Sequence, residues 1–309
     1  MADWNTRTKL VHAGARRSQY GEMSEAIFLT QGFVYDSAEQ AEARFIEAAE
    51  DEFIYARYGN PTVRMFEDRI AAIEGTEDAF ATASGMAAVN GALTSILKAG
   101  DHVVAARALF GSCLYVLDIL GRYGVEVTLV DGTDLDAWRG AVRVGTRAVF
   151  FETVSNPTLE VIDIAAVAEI AHGVGATVVV DNVFATPTFS KAVALGADVV
   201  VYSATKHIDG GGRCLGGVIC GTKEFIRKTA EPYLKHTGAA LSPFNAWVML
   251  KGLETLDLRV RAQAASAQGI AKALDGHPKL ARLLFPGLSG HPQADLAQRQ
   301  MGSGGTIVS

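Results

Sequence analysis

The stretch VYSATKHIDGGGRCLGGVIC, residues 201–220, puts Lys206 directly behind an apolar run. Hydroxyls precede it at Ser203 and Thr205, and three glycines follow at 210–212. An ammonium is costly to bury, so a lysine in this position either reaches water or is used as an amine. Three other segments carry polar groups just after apolar runs or at a helix start. FETVSNP holds Glu152 and Asn156, VVDN holds Asp181 and Asn182, and TASGMAAV holds Ser84, Gly85 and Met86. Free backbone N–H groups at a helix start form an anion site. Taken singly, each signal is weak. A lysine after a strand is ordinarily a solvated surface group, and an aspartate at a strand end is ordinarily a turn former or cap. The glycine run lacks the spacing of a Walker A loop or a dinucleotide fingerprint.

The elements that would position these groups are legible as β-branched runs. Strands are predicted over 101–106, 125–131, 147–152, 176–181, 198–203 and 216–220. Helical patterns separate most of them, as in 163–173, where Asp163 is the expected N-cap. Strands that are apolar on both faces and separated by helices imply an α/β fold with a mostly parallel sheet covered on both sides. Ligands bind such sheets beyond the carboxyl ends of the strands. That edge would collect a lysine, an aspartate, an asparagine, two hydroxyls and a helix N-terminus. Pyridoxal phosphate needs this inventory: an amine for the imine, a carboxylate to keep the pyridine nitrogen protonated, and hydroxyls with N–H groups for the phosphate. Lys206 is accordingly read as the Schiff-base lysine.

Composition bounds the alternatives. A chain of 309 residues with 49% hydrophobic content is long enough for two domains. Net charge is −6 and no basic block occurs, which argues against nucleic acid and anionic membrane as partners. Cys113, Cys214 and Cys220 form an odd, unpatterned set, which argues against a disulfide framework and against a metal site. MADWNTRTKL contains no secretory apolar region and no run reaches membrane-spanning length, so a cytoplasmic protein is expected. Residues 1–60 are polar and loop-rich and are read as an arm, 61–245 as the large cofactor-binding domain, and 246–309 as the start of a smaller domain. Ser242 and Pro243 should open a long helical span, and SGGTIVS should begin the first strand of a new sheet.

The segments YARYGNPT (55–62), ATASGMAAV (81–89), FETVSNPT (151–158), VVDNVFATP (179–187), YSATKHIDGGGRCLGG (202–217) and LSPFNAWVMLKGLETLDLR (241–259) run in one order along nearly the whole chain. In these segments the chain resembles the cystathionine γ-synthase-like, or Cys/Met metabolism, family of pyridoxal-phosphate enzymes. The resemblance implies the fold type I transferase architecture: an N-terminal arm, a mostly parallel seven-stranded sheet with helices on both faces, and a smaller α+β C-terminal domain. It implies that Lys206 holds the cofactor and moves protons, that Asp181 pairs with the pyridine nitrogen, and that Asn156 contacts the 3-hydroxyl. Ser84, Gly85, Met86, Ser203 and Thr205 would bind the phosphate. Tyr55 and Arg57 would reach the phosphate of a neighbouring subunit, with Asn60 in the same crossing segment, in a tetramer built of two dimers.

The implied chemistry is γ-replacement on small molecules. An O-succinyl- or O-acetyl-homoserine loses succinate or acetate from its γ-carbon, and sulfide, or cysteine, adds there. Two features depart from the family pattern. Phe110, in LFGSC, stands where many relatives carry a stacking tyrosine, so the ring remains and the phenol is lost. Ser112 stands where the methionine-cleaving γ-lyases carry cysteine. The resemblance implies that the family arginine for the substrate carboxylate would fall after Ser309, so that 246–309 would be only the start of the smaller domain. Aminotransferase-like and desulfurase-like enzymes share the sheet and lysine but not the YARYGNPT arm. A non-catalytic paralogue of the same fold is the alternative outside enzymology.

Overall fold

Valine dominates the central strands, and burial on both faces explains why. The computed structural model describes residues 4–49 and 51–309; positions 1–3 and 50 of the expected arm lie outside the described residues. The strands are β1 (Asp78–Thr82), β2 (His102–Ala106), β3 (Glu126–Val130), β4 (Thr146–Glu152), β5 (Thr177–Asp181), β6 (Val199–Ser203) and β7 (Gly217–Gly221). They form a seven-stranded sheet in the order β1-β7-β6-β5-β4-β2-β3. Pairs β2–β3, β2–β4, β4–β5 and β5–β6 are parallel, while β1 and β7 pair antiparallel. Six of the seven match the predicted runs to within a residue or two. The seventh, β1, has the sequence DAFAT, whose alanines carry little strand preference. Its pairing with β7 and the burial of all five residues hold it as a strand.

The chain divides into two compact units. The first comprises residues up to Ala88 together with Ser203–Glu254. Helix Pro61–Glu74 is its centre: Asn60 caps it, Pro61 occupies its first turn, and Met65, Phe66 and Ile70 are fully buried. It packs on helix Pro243–Glu254 and on β1. Ser242 caps the latter helix as expected, its Oγ accepting from the Asn245 N–H at 3.2 Å. The arm is more structured than a polar, loop-rich composition suggests. It contains helices Thr6–His12 and Ala38–Ile46, each N-capped by a side chain (Asn5 and Ser37), and it buries Leu10 and Glu25.

The second unit comprises Val89–Tyr202 with Thr255–Ser309. It carries β2 to β5, with Asp163 capping helix Ile164–His172 through a 3.0 Å bond to the Ala166 N–H. Trp138 is fully buried and donates its indole N–H to the Gly132 carbonyl at 3.0 Å. The expected strand in SGGTIVS is not formed as a sheet element. The segment makes a single reciprocal backbone pair, Ser309 with Leu284, at 2.7 and 3.0 Å. No helix of the described residues is long and apolar enough to cross a membrane.

Candidate active site

In the first unit the chemistry-bearing residues are tied together by backbone. Helix Gly85–Ile96 begins right after β1, and Ser84 Oγ accepts from the Ala87 N–H at 3.1 Å, so Ser84 is its cap. The first amides of that helix have no partner within it. A Cβ on Gly85 would sit 2.5 Å from Ser203 Cβ and 2.7 Å from Ser203 Oγ. Only glycine lets the helix start lie against the end of β6. A Cβ on Gly217 would meet the Ser84 carbonyl oxygen at 2.2 Å, so the start of β7 is held equally close.

Lys206 follows in a tight turn. Its N–H donates to the Ser203 carbonyl at 3.2 Å and its carbonyl accepts from Gly210 at 2.8 Å. Its side chain is exposed, and its ammonium forms no hydrogen bond or ion pair among the described residues. Thr205 is committed to the chain itself: its hydroxyl donates to the Gly216 carbonyl at 3.2 Å and accepts from the Gly216 N–H at 3.1 Å. Asp209, fully buried, accepts from the N–H groups of Gly211 and Arg213 at 3.2 and 2.8 Å and from Arg213 Nε at 2.9 Å, which pins the glycine loop behind the lysine.

On the arm, the Arg57 guanidinium lies 5.3 Å from the Tyr55 ring centroid and 4.8 Å from that of Tyr58, and donates to the Lys235 carbonyl. Tyr55 is 40% exposed. Asn60 is fully buried, capping its helix through the Thr62 N–H and donating to the Phe28 carbonyl at 2.8 Å.

The second unit brings acids together. Glu152 and Asp181 are register neighbours at the ends of β4 and β5. Cys113, on helix Gly111–Arg122, joins them, with its sulfur and the carboxyl oxygens all within 4.8 Å of one another. Glu152 is 3% exposed and accepts from the Phe110 N–H at 2.6 Å and the Asn156 N–H at 3.0 Å, one on each oxygen. Burial pushes its carboxyl up to about 8, with the Asp181 charge adding and the two amides opposing. Burial also raises Asp181, to about 6, against a 3.0 Å bond from the Val183 N–H. The Cys113 thiol is pushed up by burial, then by Asp181 and Glu152. These are donor atoms of metal-ligating type, but the raised thiol and Glu152 favour their non-ligating protonated forms.

Phe110 is 44% exposed, so its ring is not a core aromatic. Asn156 is partly exposed and keeps its side-chain amide outside the Glu152 bond, which uses its backbone. Asn182 directly follows β5. It is fully buried, accepts from Thr153 Oγ1 at 2.8 Å, and donates to the Ser190 carbonyl at 2.8 Å and the Tyr202 hydroxyl at 2.7 Å. Its work is to hold the chain just past Asp181. Glu152 stood among the strand-end residues without a role. The signal was there in a carboxylate closing an otherwise apolar strand, but its two amide partners lie 42 and 4 residues away and only folding reveals the first.

The residues present fit pyridoxal phosphate. The helix start at Gly85 lies against Ser203 with its first amides unpaired within the helix, and Asp181 is a half-buried acid whose ionised form gains from a cationic ring nitrogen. The profile of the Cys/Met metabolism PLP-dependent enzymes matches residues 7–309, and the chain belongs to that family. It is 56% identical over 300 residues to the O-succinylhomoserine sulfhydrylase of Mycobacterium tuberculosis, covering 97% of this chain and 74% of that protein. The O-succinylhomoserine sulfhydrylase of Pseudomonas aeruginosa is 47% identical over 303 residues, covering 98% and 75%. Among solved structures, a putative O-acetylhomoserine (thiol)-lyase from Campylobacter jejuni superposes with a TM-score of 0.92 at 27% identity, covering 99% of this chain and 85% of that one. That structure carries N'-pyridoxyl-lysine-5'-monophosphate. The chain is thus a pyridoxal-phosphate enzyme of fold type I.

Proposed function

We propose that this enzyme performs γ-replacement on O-succinyl-L-homoserine with sulfide, forming L-homocysteine and succinate, a methionine-biosynthetic reaction. The observation that carries the reading is the 56% identity, across 97% of the chain, with a protein named for that reaction. Ser112, where γ-lyases carry cysteine, supports replacement over elimination.

When bound, pyridoxal phosphate supplies an electron sink for carbanions at the substrate's α- and β-carbons. The chain's own residues do the rest. Lys206 provides the amine that holds the cofactor. Freed when substrate takes its place, it removes the α-proton and returns protons later; its exposed, unpaired ammonium suits an exchangeable amine. Asp181 keeps the ring nitrogen protonated. Asn156 contacts the 3-hydroxyl. Ser84, Gly85, Met86, Ser203 and Thr205 bind the phosphate, Thr205 by exchanging its bond to Gly216. Phe110 stacks on the ring and offers no phenol for acid–base work, a loss that sulfide, easily deprotonated, tolerates. The C–O bond at the γ-carbon breaks with succinate as leaving group, and a C–S bond forms in its place.

Domain roles follow the sequence division: 1–60 as arm, 61–245 for the cofactor and 246–309 opening the smaller domain. Tyr55 and Arg57 serve the phosphate of a neighbouring subunit in a homotetramer. The aromatic pair flanking Arg57 pre-orders the guanidinium for such a task. The three free thiols suit a reducing, cytoplasmic setting.

Steady-state rates test the reaction. O-succinyl-homoserine with sulfide should give the highest kcat/KM, and homocysteine should dominate the products. Faster turnover with O-acetyl-homoserine or with cysteine, or 2-oxobutyrate as the main product, overturns the substrate reading. For the arm, mixing Arg57→Ala with Lys206→Ala under subunit exchange should restore activity, because one site of the hybrid then has neither defect. No recovery despite proven exchange places Arg57 outside the partner's site.

A further inference from the structure

Among the described residues, no cation faces Glu152. Its two oxygens take backbone amides from separate segments, Phe110 at 2.6 Å and Asn156 at 3.0 Å. The titratable groups that face it are Asp181 from β5 and Cys113 from helix Gly111–Arg122. Glu67, the other buried glutamate raised to about 8, shows the ordinary arrangement: Arg64 Nη1 at 3.5 Å and Arg227 Nη2 at 3.8 Å face its carboxyl. A buried cluster of two acids and a thiol without a cation does not hold two negative charges. One proton must stay. Glu152 is 3% exposed while Asp181 keeps part of its surface open, so the charge is less costly on Asp181 and the proton belongs on Glu152.

We propose that Glu152 is a positioning residue for the cofactor: as a neutral acid it clamps the backbones of Phe110 and Asn156 and leaves Asp181 the single anion of the cluster. The inference rests on the reading of Asp181 as partner of the ring nitrogen. An ionised Glu152 would push the proton onto Asp181, and the ring nitrogen would then face a neutral acid. The clamp also joins three roles. The stacking candidate, the 3-hydroxyl candidate and the ring-nitrogen partner are registered to one another through a single side chain.

The test compares wild type, Glu152→Gln, Glu152→Ala and Asp181→Asn. Three measurements are made: the protonated-carboxyl infrared band, the Kd for pyridoxal phosphate at pH 7, and apoprotein Tm against pH. Glutamine keeps one acceptor oxygen but its NH2 cannot accept the second amide, so Glu152→Gln should lose a carboxyl band that titrates near pH 8 and raise the Kd less than Glu152→Ala does. The Glu67 band remains as an internal reference. Glu152→Ala leaves two amides without an acceptor and should weaken binding more than tenfold.

Apoprotein stability carries the same sign. A carboxyl whose folded pKa is raised from 4.5 to about 8 contributes fully below pH 4.5, and the contribution is lost as pH climbs to about 8. Wild-type Tm should therefore fall more steeply across that window than Glu152→Gln. A band unchanged in Glu152→Gln, a Kd raised as much in that variant as in Glu152→Ala, or an Ala variant within tenfold each overturns the proposal. If Asp181→Asn leaves both Kd and the visible spectrum unaltered, the reading of Asp181 itself fails, whatever Glu152 does.

Discussion

Two regions of this chain solve opposite problems. Around Gly85, Ser203 and Gly217 the difficulty is space: backbones approach so closely that a single methyl would collide at 2.2 to 2.7 Å. Around Glu152, Asp181 and Cys113 the difficulty is charge: three ionisable groups share a buried pocket of side chains within 4.8 Å. The first region is built by leaving atoms out, and its partners are already satisfied, as the paired bonds of Thr205 to Gly216 show. The second is built by bringing side chains in, and its electrostatics stay adjustable because protonation can move. On the proposed roles, the first would serve a phosphate, which needs fixed geometry, and the second a ring nitrogen, which needs a tuned charge. The contrast teaches that rigidity here comes from glycine and reactivity from desolvation.

Four substitutions break or sharpen that contrast, in falling order of effect. Lys206→Ala should abolish borohydride fixation of the cofactor while the melting curve stays cooperative; full-yield fixation in the variant would remove the lysine from its role. Asp181→Asn should lower kcat by at least about 100-fold, or ~2.7 kcal/mol in barrier, with a smaller change in cofactor affinity. A loss below tenfold would show that the charge region is not what drives turnover.

Gly85→Ala tests the space region. Overpacking against Ser203 should cost about 1–3 kcal/mol in chemical denaturation and weaken cofactor binding together with stability. An unaltered midpoint would mean the helix start can shift freely. Phe110→Ala should raise the cofactor Kd about 2- to 10-fold, the worth of an offset stack at roughly 0.5–1.5 kcal/mol. Phe110→Tyr should keep that affinity and shift the ratio of homocysteine to 2-oxobutyrate. If neither variant changes its readout, the exposed ring has no part in the site.

Much of the architecture was legible because its signals are local. VVVD and VVVYS read as buried strands from a few adjacent β-branched residues, and Asp163, Ser242 and Pro243 mark helix starts within one turn. DAFAT was not legible as a strand. Alanine carries no such signal, and pairing with residues some 140 positions later in the chain is what makes it one. Helices Thr6–His12 and Ala38–Ile46 were hidden in the arm for a related reason: their polar composition is that of a loop, and only their caps, Asn5 and Ser37, speak for a helix.

By itself the sequence determined which chemistry was available: one lysine behind hydroxyls, one aspartate closing a valine strand, and glycines where backbones must meet. Those are properties of residue type and short spacing. Only the tertiary structure decided that Asn182 is locked inward among Thr153, Ser190 and Tyr202, and that Thr205 is bound to Gly216. It alone decided that Glu152 sits against Asp181 with no cation among the described residues to neutralise it. The physical reason is that a side chain's protonation and free valences depend on what surrounds it in space. Desolvation is set by packing from distant segments, and no run of neighbouring letters carries that information.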